Sequence, residues 1–185
     1  LNAICGRTFD RGVCQETSLW FQGGRELNLR TAAGLAAALS QACDEAYAAC
    51  PIVRNELVNR RSLSSAAAAA RRTLIERMIT RTGEPRLGIL GFPPELSMYR
   101  SVLEQSGLHR QVGESWTFGP PPEDDSCHMA PLWREIEAFL DKGGGLRRPL
   151  VELFDLLRQP PYGIKDGLLP VFLAGAIMAW QDEIA

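Results

Sequence analysis

Apolar residues in this chain recur mostly at helical spacing, with a few short alternating runs between them. Residues 13–29 alternate loosely. Leu19, Trp20 and Phe21 precede Gly23-Gly24, and Leu27 and Leu29 follow, which predicts a β-hairpin. From Thr31 to about Ala49 the chain is alanine-rich, with Leu35, Leu39, Ala42, Cys43 and Ala46 on one helical face, and Pro51 closes the element. A second helix is expected from Ser64 or Ser65, either of which can cap it by accepting a backbone N–H, to about Thr82 before Gly83. Its expected stripe is Leu74, Ile75, Met78 and Ile79, with Arg71 projecting into the middle and Arg77 and Arg81 towards one edge. A guanidinium on an apolar face must be paired or reach solvent, so Arg71 is the most constrained of these.

Residues 83–92 read as a loop with a short strand at Leu87-Gly-Ile-Leu90, and Pro93-Pro94 opens a helix that runs to about Ser106 before Gly107. Trp116-Thr-Phe118 reads as a strand. Further helices are expected at 131–141, at 150–158, and after Asp166, which would cap a strongly apolar final helix. The expected fold class is mainly α, a multi-helix domain with a small N-terminal β-hairpin. Gly119-Pro-Pro-Pro-Glu-Asp-Asp125 is extended by its prolines and solvated by its acids. It suggests a hairpin-plus-helical subdomain at 1–119, a linker at 120–130 and a helical subdomain at 131–185.

Composition narrows the class. With 185 residues, 45% apolar and 23% charged, the chain has the make-up of a globular protein with one substantial core or two small ones. Five cysteines, an odd number without a C-x-x-C pair, argue against a disulfide framework and point to a reducing, cytoplasmic setting. No signal-peptide pattern opens the chain. The 13-residue apolar run from Leu168 to Trp180 is short of the roughly 20 residues a membrane span needs, so no membrane partner is expected. A start at Leu1 without Met, and a segment beginning at Gln181, read as the ends of a piece of a larger protein.

Charge is unevenly placed. The formal net charge is −2, yet residues 54–86 carry eight arginines against three acids, and the remainder carries 12 basic and 19 acidic groups. Of the 20 basic residues only Lys142 and Lys165 are lysine, which fits a GC-rich genome or anion recognition by guanidinium forks. Arg60, Arg61, Arg71, Arg72 and Arg77 are the candidate contacts to nucleic acid or another partner, with Ser62, Ser64 and Ser65 adding N–H donors at a helix start. The competing reading pairs these arginines with the acidic body. The strip lacks interleaved aromatics, which argues against stacking on single strands.

Catalytic chemistry finds little support. There is no G-x-x-x-x-G-K-[ST], and Gly143-Gly-Gly-Leu-Arg-Arg148 lacks the lysine and hydroxyl of a phosphate loop. Cys127-His128 and His109 do not complete a zinc set, and Cys43 and Cys50 read as core thiols. A hydrolase would need His109 or His128 to meet a nucleophile and a carboxylate in one pocket, and no G-x-S-x-G is present. Glu123, Asp124 and Asp125 read as a solvated charge run. No catalytic, cofactor-binding or metal-binding residue, and no cofactor, is assigned.

Leu150 to Arg158, then Pro160-Pro-Tyr-Gly-Ile-Lys-Asp166, then the apolar helix before Glu183-Ile184 resemble the opening of a winged-helix-like unit. Such a segment occurs in very large bacterial P-loop ATPases of phage-defence loci, such as the BREX ATPases. The stretch 55–78 and Phe92-Pro-Pro-Glu-Leu-Ser-Met-Tyr99 resemble accessory regions outside the nucleotide site of such enzymes, and the similarity spans residues 30–185 in arrangement. It implies a C-terminal, partial winged-helix-like helix pair and a domain that relays or anchors, with ATP handled elsewhere in a parent chain. No family catalytic residue carries over, because the Walker motifs are absent from this sequence. Leu168 to Trp180 carries no charge, so it reads as a core helix and not as a recognition helix; Tyr162 and Lys165 could touch phosphate, but Pro160-Pro-Tyr-Gly163 reads rather as a rigid helix–helix turn. The expectation is a non-catalytic accessory or interaction domain of a larger cytoplasmic ATPase, its partner being the remainder of the parent chain. The alternative is a nucleic-acid-binding module using the strip 54–86.

Overall fold

The computed structural model describes residues 19–29, 31–60, 62–141 and 148–181. It is mainly α, and among the described residues there are six α-helices and two antiparallel hairpins. The chain divides into two compact units between Tyr47 and Ala48.

In the first unit, β1 (Trp20–Gln22) and β2 (Arg25–Leu27) pair antiparallel, with Trp20 opposite Leu27 and Gln22 opposite Arg25. Gly23 and Gly24 both have positive φ, which lets a two-residue turn follow the twist of the strands as the Gly-Gly pair predicts. Helix α1 (Ala32–Ala46) is capped by Thr31, whose hydroxyl accepts from Gly34 N at 3.0 Å. Of its expected stripe only Leu35 is buried. Leu39, Cys43 and Ala46 are exposed, so Cys43 is not a core thiol. Periodicity says which residues share a face. It does not say that another layer covers that face.

The second unit holds α2 (Ser65–Thr80), α3 (Pro94–Tyr99), β3 (His109–Val112), β4 (Ser115–Phe118), α4 (Ala130–Asp141), α5 (Leu150–Arg158) and α6 (Leu169–Ala179). Helix α2 packs on α3 and α6, and α6 also meets β4 and α4. Apolar on every side, α6 buries Leu169, Val171, Phe172, Leu173 and Ala176, as a helix at the centre of a core must. The buried line of α2 is Ala67, Ala70, Leu74 and Met78. Ile79 lies one residue off that line and is 61% exposed, contrary to its expected place in the stripe.

Several local expectations change. Leu87 to Leu90 is not a strand. Residues Pro85–Gly88 form a 3₁₀ turn in which Arg86, Leu87 and Gly88 all have φ near +50 to +65°, and the turn drives Leu87 into the core. Helix α3 continues into a π turn, Arg100–Glu104, closed by Gln105 N donating to Arg100 O at 2.9 Å. Strand β4 has an unforeseen partner, β3, with Arg110 opposite Thr117 and Gln111 opposite Trp116. Asp166 does not cap α6. Its carboxylate accepts from Arg158 Nε at 2.6 Å, and α6 starts after Leu168 with no side-chain cap.

Residues 120–130, expected as a linker, run inside the second unit. Arg110 donates to Gly107 O and Pro120 O, Cys127 and Met129 are buried, and Ile52 N donates to Cys127 O at 2.8 Å. Asp125 accepts from Ala130 N at 2.7 Å, tying the stretch to the start of α4. The expected glycine-rich break at 143–145 lies outside the described residues.

Candidate functional site

The arginines singled out from sequence do different jobs. Arg71, half-buried, donates from Nη1 to Asp166 O at 3.1 Å and Gly167 O at 3.5 Å. Arg77 does the same for the turn before α3, donating to Leu87 O at 3.3 Å and Gly88 O at 3.1 Å. Each guanidinium satisfies carbonyls that no regular ladder serves. Arg72 is exposed and pairs with Glu76 one turn on, and Arg81 pairs with Glu84. Arg60 is exposed, and Arg61 lies outside the described residues. Helix α2 therefore presents no continuous row of unengaged cations. Two of its three arginines brace loops, the third is neutralised by Glu76, and Arg81 at its C-cap is neutralised by Glu84.

An open groove lies at the start of the strip, between the segment 53–59 and α3. Along that segment the side chains alternate. Val53, Asn55 and Val58 turn inward, and Arg54 and Glu56 turn outward. Asn55 causes this. It is only 8% exposed, its Oδ1 accepts from Leu57 N at 2.9 Å, and its Nδ2 donates to Ser101 Oγ at 2.8 Å and Ser97 O at 3.1 Å. One amide both folds the loop and staples it to α3. Asn59 adds a second tie, donating to Val53 O at 2.9 Å.

The facing wall comes from α3 and the π turn. Ser101 Oγ donates to Ser97 O and Ser106 Oγ to Val102 O, taking acceptors that an α ladder would otherwise use. The wide turn slows the helical rotation, so Ser97, Ser101 and Gln105 stay on one face and line the groove with Arg100. Phe92 and Pro93, at the entrance to α3, form its apolar end together with Leu57 and Leu96. Phe92 is 91% exposed and nearby Leu90 is 86% exposed. The groove encloses about 570 Å³. Among the described residues, the Arg54 and Arg100 side chains that line it make no hydrogen bond or ion pair.

In the sequence Arg54 stands out only as one member of the strip, and Asn55, Phe92, Arg100 and Gln105 carry no pattern that marks them as site residues. They are scattered over 50 positions, and no spacing rule joins them. The available signal was Phe92-Pro-Pro, an aromatic held next to a rigid turn.

The groups considered for catalysis are engaged elsewhere. His109 is buried, with Nε2 2.9 Å from Thr82 O and Nδ1 2.9 Å from Tyr99 Oη. A carbonyl can only accept, so the proton sits on Nε2, and Nδ1 accepts from the tyrosine hydroxyl. Its ring packs among Tyr99, Trp116 and Phe118. Burial holds the imidazole below its ordinary pKa and pushes Tyr99 up. His128, at φ +52°, places Nδ1 3.3 Å from Cys50 O. Burial raises the thiols of Cys50 and Cys127, away from the thiolate form a nucleophile needs. Glu123 and Asp124 are exposed. Tyr162 donates to Glu135 at 2.9 Å and is pushed up to about 12 by burial and by that bond, and Lys165 is exposed. Among the described residues no group of three or more His, Cys, Asp or Glu side chains could hold a metal, and no helix is long and apolar enough to cross a membrane.

No family model, curated protein or solved structure matches the chain, so the likeness to phage-defence ATPases rests on the short motifs of the sequence alone.

Proposed function

We propose that this chain is a non-catalytic interaction domain that binds a segment of a partner protein in the groove between residues 53–59 and α3. The observation that carries the reading is the combination of two guanidiniums that make no hydrogen bond or ion pair among the described residues, a line of hydroxyl and amide groups, and a nearly fully exposed phenylalanine in one open cleft. Arginine and aromatic side chains are the residues that dominate binding energy at protein interfaces. An exposed phenylalanine gains nothing for folding, whereas covering it on binding contributes roughly 1.5–3 kcal/mol. The resemblance to ATPase accessory regions makes the rest of a parent chain one source of such a segment.

The groove is preferred to the arginine strip as a nucleic-acid surface because Arg71 and Arg77 are committed to backbone carbonyls and Arg72 and Arg81 to acids. Selection of a random displayed peptide library on the wild-type chain tests the reading, with counter-selection on Phe92→Ala/Arg100→Glu. A consensus that depends on the intact groove is expected. If every enriched peptide binds the double variant equally well, or none is enriched, the reading is wrong.

A further inference from the structure

We infer that the groove selects an acidic peptide segment carrying a large apolar residue, with carboxylates held by Arg54 and Arg100 and the apolar side chain set against Phe92. This rests on the groove being a peptide-binding surface, and it adds what kind of peptide. A guanidinium carries five N–H donors and no acceptor, so an unengaged one in a cleft is completed only by an acceptor, and a carboxylate fits its fork in bidentate fashion. Two such groups, on opposite walls, stand in a cleft whose one acidic lining residue is Glu56. Ser101 gives its hydroxyl proton to Ser97 O, whereas the Ser97 hydroxyl only accepts from Asn55 and keeps its proton, so the donors left facing a ligand are the two arginines, the Gln105 amide and the Ser97 hydroxyl.

The apolar half of the specificity follows from position. Phe92 stands at the entrance of α3, next to two prolines that restrict its backbone, so little conformational freedom is lost when a ligand covers it. An acidic side chain alone would leave that ring in water, and an apolar one alone would leave both guanidiniums unmatched. The two needs are met together by a segment in which acidic and apolar residues alternate or neighbour one another. A nucleic-acid strand is less well matched, because one aromatic ring offers a single stacking platform and Glu56 repels the backbone.

Fluorescence anisotropy on the full chain tests this, using a fluorescein-labelled peptide alternating Asp or Glu with Leu and Phe. Controls are the same peptide with Lys replacing the acids, with Ala replacing the apolar residues, and a labelled oligo-dT. The acidic–apolar peptide is expected to bind best and to weaken as salt rises. Arg54→Gln and Arg100→Gln should each reduce its affinity about tenfold, the loss of a charged hydrogen bond. Phe92→Ala should weaken it by a similar factor, and Glu56→Gln should strengthen it about two- to threefold by removing like charge. All four side chains are on the surface of the cleft, so the variants keep their fold, which circular dichroism checks. Tighter binding of the Lys peptide or of oligo-dT, or an acidic peptide indifferent to both arginine changes, would overturn the inference. The two proposals fail separately. A groove-dependent consensus that is neutral or basic in the display experiment sinks this one and leaves the interaction reading standing.

Discussion

Gly167 shows how much one residue can constrain this fold. It is buried where the turn before α6 runs against Val58, and a Cβ there would collide with the Val58 carbonyl oxygen. Backbone cannot rotate aside as a side chain can. Gly167→Ala should therefore cost about 2–3 kcal/mol or more in urea unfolding, in the range of overpacked core sites. Gly83→Ala is the matched control, since its added methyl meets nothing within 4 Å, and it should be neutral or stabilise by about 0.4–1 kcal/mol. His109 makes a second prediction at this scale. Its folded pKa is depressed by burial, so between that value and the unfolded value of about 6.5 the unfolded chain binds more protons. The stability tied to the neutral ring is complete above about pH 6.5 and is lost as pH falls towards the folded pKa. Replacement by glutamine should lower stability at pH 7.5 and flatten its slope between pH 5 and 7. A slope unchanged in the variant would show that His109 does not drive the acid sensitivity.

At the scale of elements, α2 works as a brace. Its arginines at 71 and 77 reach over to two separate loops, one entering α6 and one entering α3, and donate to two carbonyls in each. The second loop needs this most, because Arg86 and Leu87 hold left-handed conformations that non-glycine residues adopt at a cost of order 1–3 kcal/mol. Arg77→Gln should destabilise the protein by about 1.5–3 kcal/mol, and the amides of Leu87 and Ile89 should lose hydrogen-exchange protection first. Arg72→Gln, which breaks only an exposed pair with Glu76, should change stability by less than about 0.5 kcal/mol. Equal effects would mean that the two arginines are not divided in this way.

For the molecule as a whole, the main buried cluster draws all its members from residues between Val53 and Ala176, inside the second unit. A chain beginning at Ala48 should therefore keep its helical circular dichroism and unfold cooperatively in urea. A broad, non-cooperative transition would show that the first 47 residues supply necessary packing. The proposed groove also lies entirely within this unit, so the shortened chain should retain the peptide-binding behaviour expected of the full one.

Much of the element order follows from the sequence alone, because helical spacing, caps and breakers act over a few residues. Gly23-Gly24, Ser64, Pro93-Pro94 and the uncharged run after Leu168 each mark local boundaries or burial that the structure keeps. The assignment of Arg71 to a constrained position also came from local geometry, since its place on the helical wheel follows from the 100° step. What the tertiary structure decided is non-local. Whether Cys43 or Ile79 is covered depends on which layer lies over that face. The carbonyls of the left-handed turn at 86–88 are met by Arg77, ten positions earlier in the chain. The groove itself exists because the Asn55 amide meets Ser97 and Ser101 more than 40 positions away, bringing Arg54, Phe92 and Arg100 to one cleft. No short-range pattern encodes that meeting, since it is settled by the packing of the whole second unit.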